Sequence, residues 1–472
     1  MSYREILNLI WFWFSKLLWI ILLTLLMVGA TFQRRDSISQ IRRYTRSIEY
    51  DYFNWTLDAL FIKLEQYSLG TAAYLPEADR HDLVLTYFDK VREARRIESR
   101  LHEILADPNL KDPEIIAAPI IVERDDVWKT LSELEPIVET VLQEQVATVL
   151  SELGVHLLGT PFPPVAFHFT KPPMALIISP REVIRQDANI SLTADLALED
   201  QIKLESDVEA SLNLSSLVVP VGGIGVYPTM IQESSSLAWL TETIVHEWVH
   251  NYLTLRPLGM NYFASPELRT MNETAANLLG KEISRMVLEQ YYPAFVPPPP
   301  VETPSTHPPT TEPPPFDFRA EMRETRVTVD DLLAKGEIER AESYMEAQRL
   351  VFWENGYQIR RLNQAYFAFY GAYADVPGGP AGEDPVGAAV RELWARIGSP
   401  IQFLRKIAWM NEYQDLLDAL EMLKVNPATN CAMHVGYLYP DSRSQPHISC
   451  ATILKPRTTI IQDDQYWESW TA

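Results

Sequence analysis

Hydrophobic residues recur every three or four positions over much of this chain, which is the spacing of one face of an α-helix. This pattern predicts helices over residues 82–105, 126–153, 329–355, 356–373 and 386–423. Short apolar runs without that spacing predict strands at residues 165–170, 174–179 and 189–194, followed by a charged helix near residues 200–212. We therefore expect an α+β fold that is predominantly helical and contains a small sheet.

An apolar stretch with several glycines follows the charged helix. Residues 217–221 are an uninterrupted apolar run, and they lead into Gly222-Gly223-Ile224-Gly225. This composition is typical of a strand whose glycines let another backbone approach closely. A peptide can lie along such an edge by strand addition, in which backbone hydrogen bonds extend the sheet.

One predicted helix carries a motif with metal-binding spacing. Apolar residues at helical spacing surround the sequence HEWVH at residues 246–250. Two imidazoles four positions apart on a helix share one face and can bind one metal ion. We expect the small sheet to pack on this helix. A second helix should begin at Ser265-Pro266, a Ser cap followed by Pro, and it carries Asn272-Glu273.

The polar residues of these two helices fit a catalytic zinc site. Such a site takes three protein ligands and keeps one position open for water, and two histidines with one glutamate are a known set. His246, His250 and Glu273 fill these three positions. Zinc lowers the pKa of water from 15.7 to about 7 and so supplies a nucleophile at neutral pH. Glu247 is the predicted catalytic residue, because it can accept the proton of that water and pass it to the leaving amine.

Two supporting roles stay open at the level of sequence. Asn277 lies one turn beyond Glu273, where it either orients a ligand histidine or is an ordinary amide of helix packing. A tetrahedral oxyanion usually needs a hydrogen-bond donor besides the metal, and tyrosine is the natural candidate. Four tyrosines cluster in one segment, as donors or as core residues: Tyr357, Tyr366, Tyr370 and Tyr373.

The sequences HEWVH and NETAAN resemble the gluzincin metallopeptidases, the thermolysin-like class in which HExxH on one helix is completed by a Glu of a following helix. The resemblance covers about 60 residues. It implies a zincin-like catalytic domain, bound Zn2+ and the ligand set His246, His250 and Glu273. A looser similarity, at residues 362–370, is to predicted bacterial membrane-associated aminopeptidases. Whether the enzyme trims peptide ends or cuts internally stays open.

Size and charge narrow the classes of function. The chain has 472 residues, 47% of them hydrophobic, and can bury a sizeable core in more than one structural unit. The net charge of -22 argues against nucleic acid as a partner, because phosphate binding needs clustered Lys and Arg. The expected partners are a peptide or protein substrate and a membrane.

We expect a membrane as a partner because residues 6–32 form an apolar segment. Residues 17–32 carry no charge, and the aromatic residues 11–14 beside Lys16 resemble an interfacial belt. We expect a retained single membrane anchor. The competing interpretation is a cleavable signal peptide that ends near Val28-Gly29-Ala30.

The side of the membrane stays open. Arginines that follow the span favour a body on the inside, whereas the general expectation for an anchored peptidase slightly favours the outside. Cys431 and Cys450 are spaced so that they either close one disulfide loop or remain free thiols.

These interpretations divide the chain into six segments. They are an anchor or signal-like segment at 1–33, a helical region at 34–160, a zincin-like metal-binding domain at 161–292, a proline-rich loop at 293–316, a helical subdomain at 317–425 and a tail with two cysteines at 426–472. We predict a membrane-anchored zinc metallopeptidase. The alternative is a membrane-tethered helical scaffold or interaction protein in which HEWVH binds a structural metal or none.

Overall fold

Helices dominate the structure, as the spacing of the apolar residues predicts. The computed structural model describes residues 37–106, 110–157, 159–298 and 316–425, together with positions 11, 13 and 16–19. The chain divides into two compact units, residues 1–48 and 49–472. The first unit contains helix α1, Ser37–Thr45. Every other element described below belongs to the second unit.

The described strands of the second unit all lie in the middle of the chain, between residues 167 and 231, and helices precede and follow them. The helices are α2 (Tyr52–Leu69), α3 (Glu77–Ala106), α4 (Pro113–Glu152), α5 (Leu198–Leu212), α6 (Leu237–Thr254), α7 (Pro257–Met260), α8 (Pro266–Tyr291), α9 (Phe318–Ala334), α10 (Ile338–Glu354), α11 (Gln364–Tyr370), α12 (Pro385–Ile397), α13 (Pro400–Ile407) and α14 (Tyr413–Val425). The strands are β1 (Phe167–Phe169), β2 (Met174–Pro180), β3 (Ala188–Leu192), β4 (Leu214–Val219), β5 (Gly223–Ile224) and β6 (Thr229–Ile231). The predicted α+β class with predominant helix is confirmed.

Two long helices, α3 and α4, pack along each other before the strands. Val84 and Phe88 of α3 and Leu142 and Val146 of α4 belong to one buried core. Helix α4 begins earlier than predicted, at Pro113, because the charged run at residues 123–126 interrupts the apolar pattern without breaking the helix. This core continues to α6 and α8, the helices that carry the motif residues.

The strands form two three-stranded sheets instead of one. In the order β3-β2-β4 all strands are antiparallel, and this sheet packs against α5 and α11. In the order β1-β6-β5, β1 and β6 are parallel, with Phe167 opposite Thr229, and β5 is antiparallel to β6, with Gly223 opposite Ile231. Helix α6 contacts β5 and β6. The predicted packing of a small sheet on the motif helix is therefore made by the second sheet.

The glycine-containing stretch is not one strand. The chain leaves β4 at Val219, passes Pro220, and enters β5 at Gly223, so the two halves of the stretch belong to different sheets. Pro220 has no backbone N–H to give to a ladder, which favours the end of a strand there. Gly223 lies in the edge strand β5, next to α6, and Gly222 and Gly225 flank that strand.

Helix α8 begins where its predicted cap places it, and a serine caps α6 as well. The Ser236 side chain accepts a hydrogen bond from Trp239 N at 3.3 Å, and Ser265 accepts one from Leu268 N at 3.3 Å, with Pro266 as the first residue of α8. The two helices approach closely at Gly280, where a Cβ would lie 3.3 Å from the Glu242 carbonyl oxygen. This close approach brings α8, and with it Glu273, near the motif.

The helical stretches predicted after residue 316 are interrupted more often than the pattern indicates, and the stretch at 386–423 contains three helices, α12, α13 and α14. The predicted helix at 329–355 is interrupted at Gly336, whose φ of +74° ends α9 before α10 begins. The predicted helix at 356–373 is helical only from Gln364 to Tyr370. The segment before it is held in place by ion pairs from Arg360 and Arg361 to Glu205 of α5. The spacing of apolar residues gives no information about such contacts between distant segments.

No helix of the described residues is long and apolar enough to cross a membrane. The predicted anchor at residues 6–32 lies largely outside those residues, and so do Cys431 and Cys450.

Candidate metal centre

Three ligand atoms from α6 and α8 converge on one point. His246 Nε2 lies 3.0 Å from His250 Nε2 and 3.7 Å from Glu273 Oε2, and His250 Nε2 lies 3.4 Å from Glu273 Oε2. The circle through these three atoms has a radius of about 2.0 Å, which matches the bond length of zinc to histidine nitrogen and to carboxylate oxygen. The structure thus brings together all three residues that the sequence predicts as ligands.

The two oxygens of the Glu273 carboxylate have different surroundings: one accepts a hydrogen bond from the protein, and the other lies at the point of convergence. Oε1 accepts a hydrogen bond from the Tyr262 hydroxyl. Oε2 is buried and has no hydrogen-bond partner among the described residues. A buried carboxylate oxygen costs free energy unless a donor or a cation meets it. Oε2 therefore has the environment expected of a metal ligand.

The two histidines are held by side-chain amides of α8. His250 Nδ1 donates to Asn272 Oδ1 at 2.8 Å, which leaves the lone pair of Nε2 directed at the point of convergence. His246 is hydrogen-bonded to the Asn277 side chain, whose Nδ2 donates to Asp375 Oδ1 at 2.9 Å. Asn277 therefore lies within reach of the His246 ring, where the orienting role requires it.

The charges at this point favour a cation. Burial raises the pKa of Glu273, but the neighbouring histidines and Arg269 outweigh burial and lower it to about 2. Burial lowers the pKa of His250, but the negative charge of neighbouring Glu273 outweighs burial and raises the value to about 9. Burial and the charge of His250 lower the pKa of His246 to about 3. The ionised Glu273 thus favours binding of a positively charged species at His250 Nε2. A metal ion can supply that charge as a proton does.

The Glu247 side chain lies between the motif helix and strand β5. A Cβ at Gly223 would come within 2.8 Å of Glu247 Oε1, and one at Gly225 within 3.3 Å of Glu247 Oε2. Gly223 and Gly225 therefore leave room for the Glu247 carboxylate to lie close to the backbone. Burial raises the pKa of Glu247 to about 7. A carboxyl group with a pKa near neutrality is suited to take up a proton and to return it.

Three residues that sequence reasoning missed support the site: Tyr262, Arg269 and Asp375. Buried Arg269 donates to the Ala368 carbonyl oxygen at 2.7 Å and to the Tyr262 hydroxyl at 3.3 Å, and Tyr262 in turn donates to Glu273. Asp375 lies 2.9 Å from Lys281 Nζ and holds Asn277. One signal was available, because α8 buries an unusual run of polar residues: Arg269, Thr270, Asn272, Glu273, Thr274 and Asn277.

Of the four candidate tyrosines, Tyr373 lies at the site. Its ring stacks on the His246 ring, with centroids 6.4 Å apart. Burial, followed by the charge of Glu273, raises its pKa well above the usual value. Tyr366 and Tyr370 pack on each other at 4.6 Å, and Tyr357 packs on Phe318 at 4.4 Å. These three belong to the core cluster around α9 and α10.

A second group of possible ligands already has its cation. Glu135, Glu139 and His168 place ligand atoms within 4.8 Å of one another. However, Glu139 Oε2 is 2.6 Å from Lys63 Nζ, and Glu139 Oε1 accepts from His168 Nδ1 at 2.8 Å and from Phe169 N at 2.7 Å. Both oxygens of Glu139 are satisfied, so this group is a buried ion network that joins α2, α4 and β1.

The first group, in contrast, fits zinc by three criteria. The donor set is two imidazoles and one carboxylate, the spacing suits one ion, and the carboxylate oxygen has no hydrogen-bond partner in the part of the chain that the structure describes. No protein-family model matches the chain, and no curated protein and no solved structure matches it either.

Proposed function

We propose that this protein is a zinc-dependent metallopeptidase. The observation that carries the proposal is the convergence of His246, His250 and Glu273 on one point, with Glu247 beside it. The resemblance of HEWVH and NETAAN to the gluzincins supports the same activity. We also propose that residues 6–32 attach the protein to a membrane by a single span.

The residues of the site have distinct roles in this proposal. His246, His250 and Glu273 hold the ion, which lowers the pKa of a water molecule and polarises the substrate carbonyl. Glu247 accepts the proton of the attacking water and delivers it to the leaving amine. Asn272 and Asn277 keep the histidine rings turned toward the ion, and Tyr262 fixes the Glu273 carboxylate.

The substrate has a place to bind along strand β5. Among the described residues, β5 pairs only with β6, so its other edge is available for a peptide to add as a strand. Such a peptide passes Glu247, because Gly223 of β5 lies against the Glu247 side chain. Backbone pairing at this edge presents the scissile bond to the catalytic carboxylate.

A scaffold with a structural metal has less support than an enzyme. A structural zinc site needs four protein ligands, whereas the described residues place three at this point. The fourth position is therefore open to water. Glu247 lies next to the site without being one of the three, as a general base does.

The direct test of the proposed activity is hydrolysis of a mixed peptide library by the full-length protein in detergent. We expect cleavage that stops when a chelator removes zinc and returns when zinc is restored. Identical peptide profiles with metal-loaded and chelated protein would reject the proposal. Amino-terminal trimming and internal cleavage are distinguished by the masses of the products.

We expect Tyr373→Phe to lower kcat for peptide hydrolysis by roughly 10²-fold, the usual effect of losing one oxyanion donor. The Tyr373 ring stacks on His246, and in this proposal its hydroxyl donates to the oxyanion only in the transition state. KM and zinc content should therefore stay near those of the wild type. Tyr366→Phe is the matched control, because Tyr366 lies in the core cluster away from the site. Equal kcat in both variants would remove Tyr373 from the mechanism.

A further inference from the structure

Helix α2 exposes an apolar stripe on the side that faces away from the protein. Its six side chains recur at helical spacing and are between 40% and 73% exposed: Phe53, Leu57, Leu60, Phe61, Leu64 and Tyr67. Residues at this spacing share one face of a helix. Asp58 and Glu65 follow two stripe residues directly and lie on its polar border. The stripe itself contains no charged residue.

The opposite face of α2 is fixed to the protein. Ala59 is buried, and Lys63 Nζ forms a buried ion pair with Glu139 Oε2 at 2.6 Å. Gln66 Nε2 donates to the same oxygen at 2.8 Å. Breaking a buried ion pair is costly, so α2 does not turn to hide its apolar stripe. The stripe is therefore a permanent surface of this unit.

The exposed area is large for a monomeric soluble protein. Six large apolar side chains at this exposure present roughly 500 Å² or more, which is in the range of surfaces that bind a partner or a membrane. The net charge of -22 disfavours both a second copy of the chain and an anionic surface. The partner that suits the stripe is apolar and carries no net charge.

We propose that the apolar stripe of α2 docks into the interfacial region of a bilayer with zwitterionic headgroups. The proposal rests on the membrane attachment in the proposed function but not on its peptidase activity. Phe53 follows residue 33, the end of the predicted anchor, by 20 residues, which span at most about 70 Å. An anchored chain therefore keeps α2 within reach of the lipid surface. An amphipathic helix in this position binds lipid through its apolar face.

Docking would place the candidate metal centre near the bilayer. Tyr67, at the end of the stripe, is close enough to Tyr227 for its charge to act on the Tyr227 pKa. Tyr227 belongs to the turn between β5 and β6, and Asn251 of α6 donates to the Val226 carbonyl oxygen of the same turn at 3.3 Å. The stripe thus ends beside the turn that borders the motif helix. Peptides held at a membrane surface are the substrate class this arrangement favours.

The test measures the depth of single fluorophores in the full-length protein bound to phosphatidylcholine vesicles. Cys431 and Cys450 are replaced by serine, and an environment-sensitive dye is attached to Leu57→Cys or Leu64→Cys. The adjacent exposed positions give matched controls, Asp58→Cys and Glu65→Cys. We expect nitroxides on the lipid chains to quench the dyes at 57 and 64 by roughly two-fold or more, with much weaker quenching at 58 and 65.

Three other outcomes would overturn the proposal. Equal, water-like emission at all four positions shows that the stripe faces solvent. Water-protected dyes that lipid nitroxides do not quench show that protein covers it, either a second copy or residues 426–472. Failure of the full-length protein to float with vesicles removes the membrane attachment as well, whereas peptide hydrolysis in detergent is measured separately and does not depend on this result.

Discussion

Replacing Glu247 with glutamine should reduce peptide hydrolysis by roughly 10²- to 10⁴-fold, because the site loses the group that accepts the proton of the attacking water. The glutamine amide has nearly the same volume, so it fits between α6 and β5, where Gly223 leaves space for the carboxylate. It has no basic oxygen of comparable strength. The variant should therefore fold and bind substrate like the wild type and fail at the chemical step.

Zinc content separates this effect from loss of the metal. Glu247 is not among the three residues whose ligand atoms converge, so Glu247→Gln should bind zinc as the wild type does. Glu282→Gln on helix α8, whose carboxylate pairs with Arg285, is a control for the general effect of removing a carboxylate, and it should retain activity. Full activity of Glu247→Gln would contradict its role as the base. Loss of both zinc and activity would mean that Glu247 helps to hold the ion.

Replacing Glu273 with alanine should remove zinc from the protein and abolish hydrolysis with it. Among the described residues, Glu273 Oε2 is the carboxylate oxygen at the point of convergence, and two histidines alone form an incomplete set for a catalytic zinc. We expect zinc below roughly a tenth of an equivalent after dialysis that leaves the wild type loaded. Atomic emission on the dialysed samples measures the metal directly.

Two further variants show whether loss of zinc reflects the ligand or the fold. Alanine removes a charge that faces buried Arg269, so some loss of stability is expected, and circular dichroism shows whether the helices persist. Glu273→Gln keeps the volume and removes only the charge, and it should also lose most of its zinc. Glu282→Ala, on the outer part of the same helix, should retain zinc, because Glu282 pairs with Arg285 away from the site. Stoichiometric zinc in Glu273→Gln would refute the ligand assignment.

Local sequence patterns were sufficient to predict the three side chains that the structure brings together at the candidate site, His246, His250 and Glu273. Helical spacing placed His246 and His250 on one face, and the Ser265-Pro266 cap located the helix that carries Glu273. These features depend on residues within a few turns of one another. The sequence alone therefore predicts the motif helix and the second helix.

Residues that reach the site from distant segments could not be predicted. Asp375 is 98 residues from Asn277, and Arg269 binds carbonyl oxygens 99 and 100 residues away, at Ala368 and Phe369. Their positions depend on how the segment after α10 folds back. Helical spacing suggested one helix there, whereas ion pairs from Arg360 and Arg361 to Glu205 hold part of it in a non-helical conformation. The helix in this segment ends at Tyr370. Tyr373, beyond its end, stacks on His246, whereas Tyr366 and Tyr370 lie in the core cluster.

X-ray absorption at the zinc edge of the wild-type, full-length protein is the most direct test of the proposed metal site. We expect one zinc per chain, bound by two imidazoles and by oxygen ligands at about 2.0 to 2.2 Å, with a position left for water. A protein that retains no zinc under loading conditions would refute this site. So would a sulfur shell at about 2.3 Å, which would place the metal on Cys431 or Cys450 instead of on His246, His250 and Glu273.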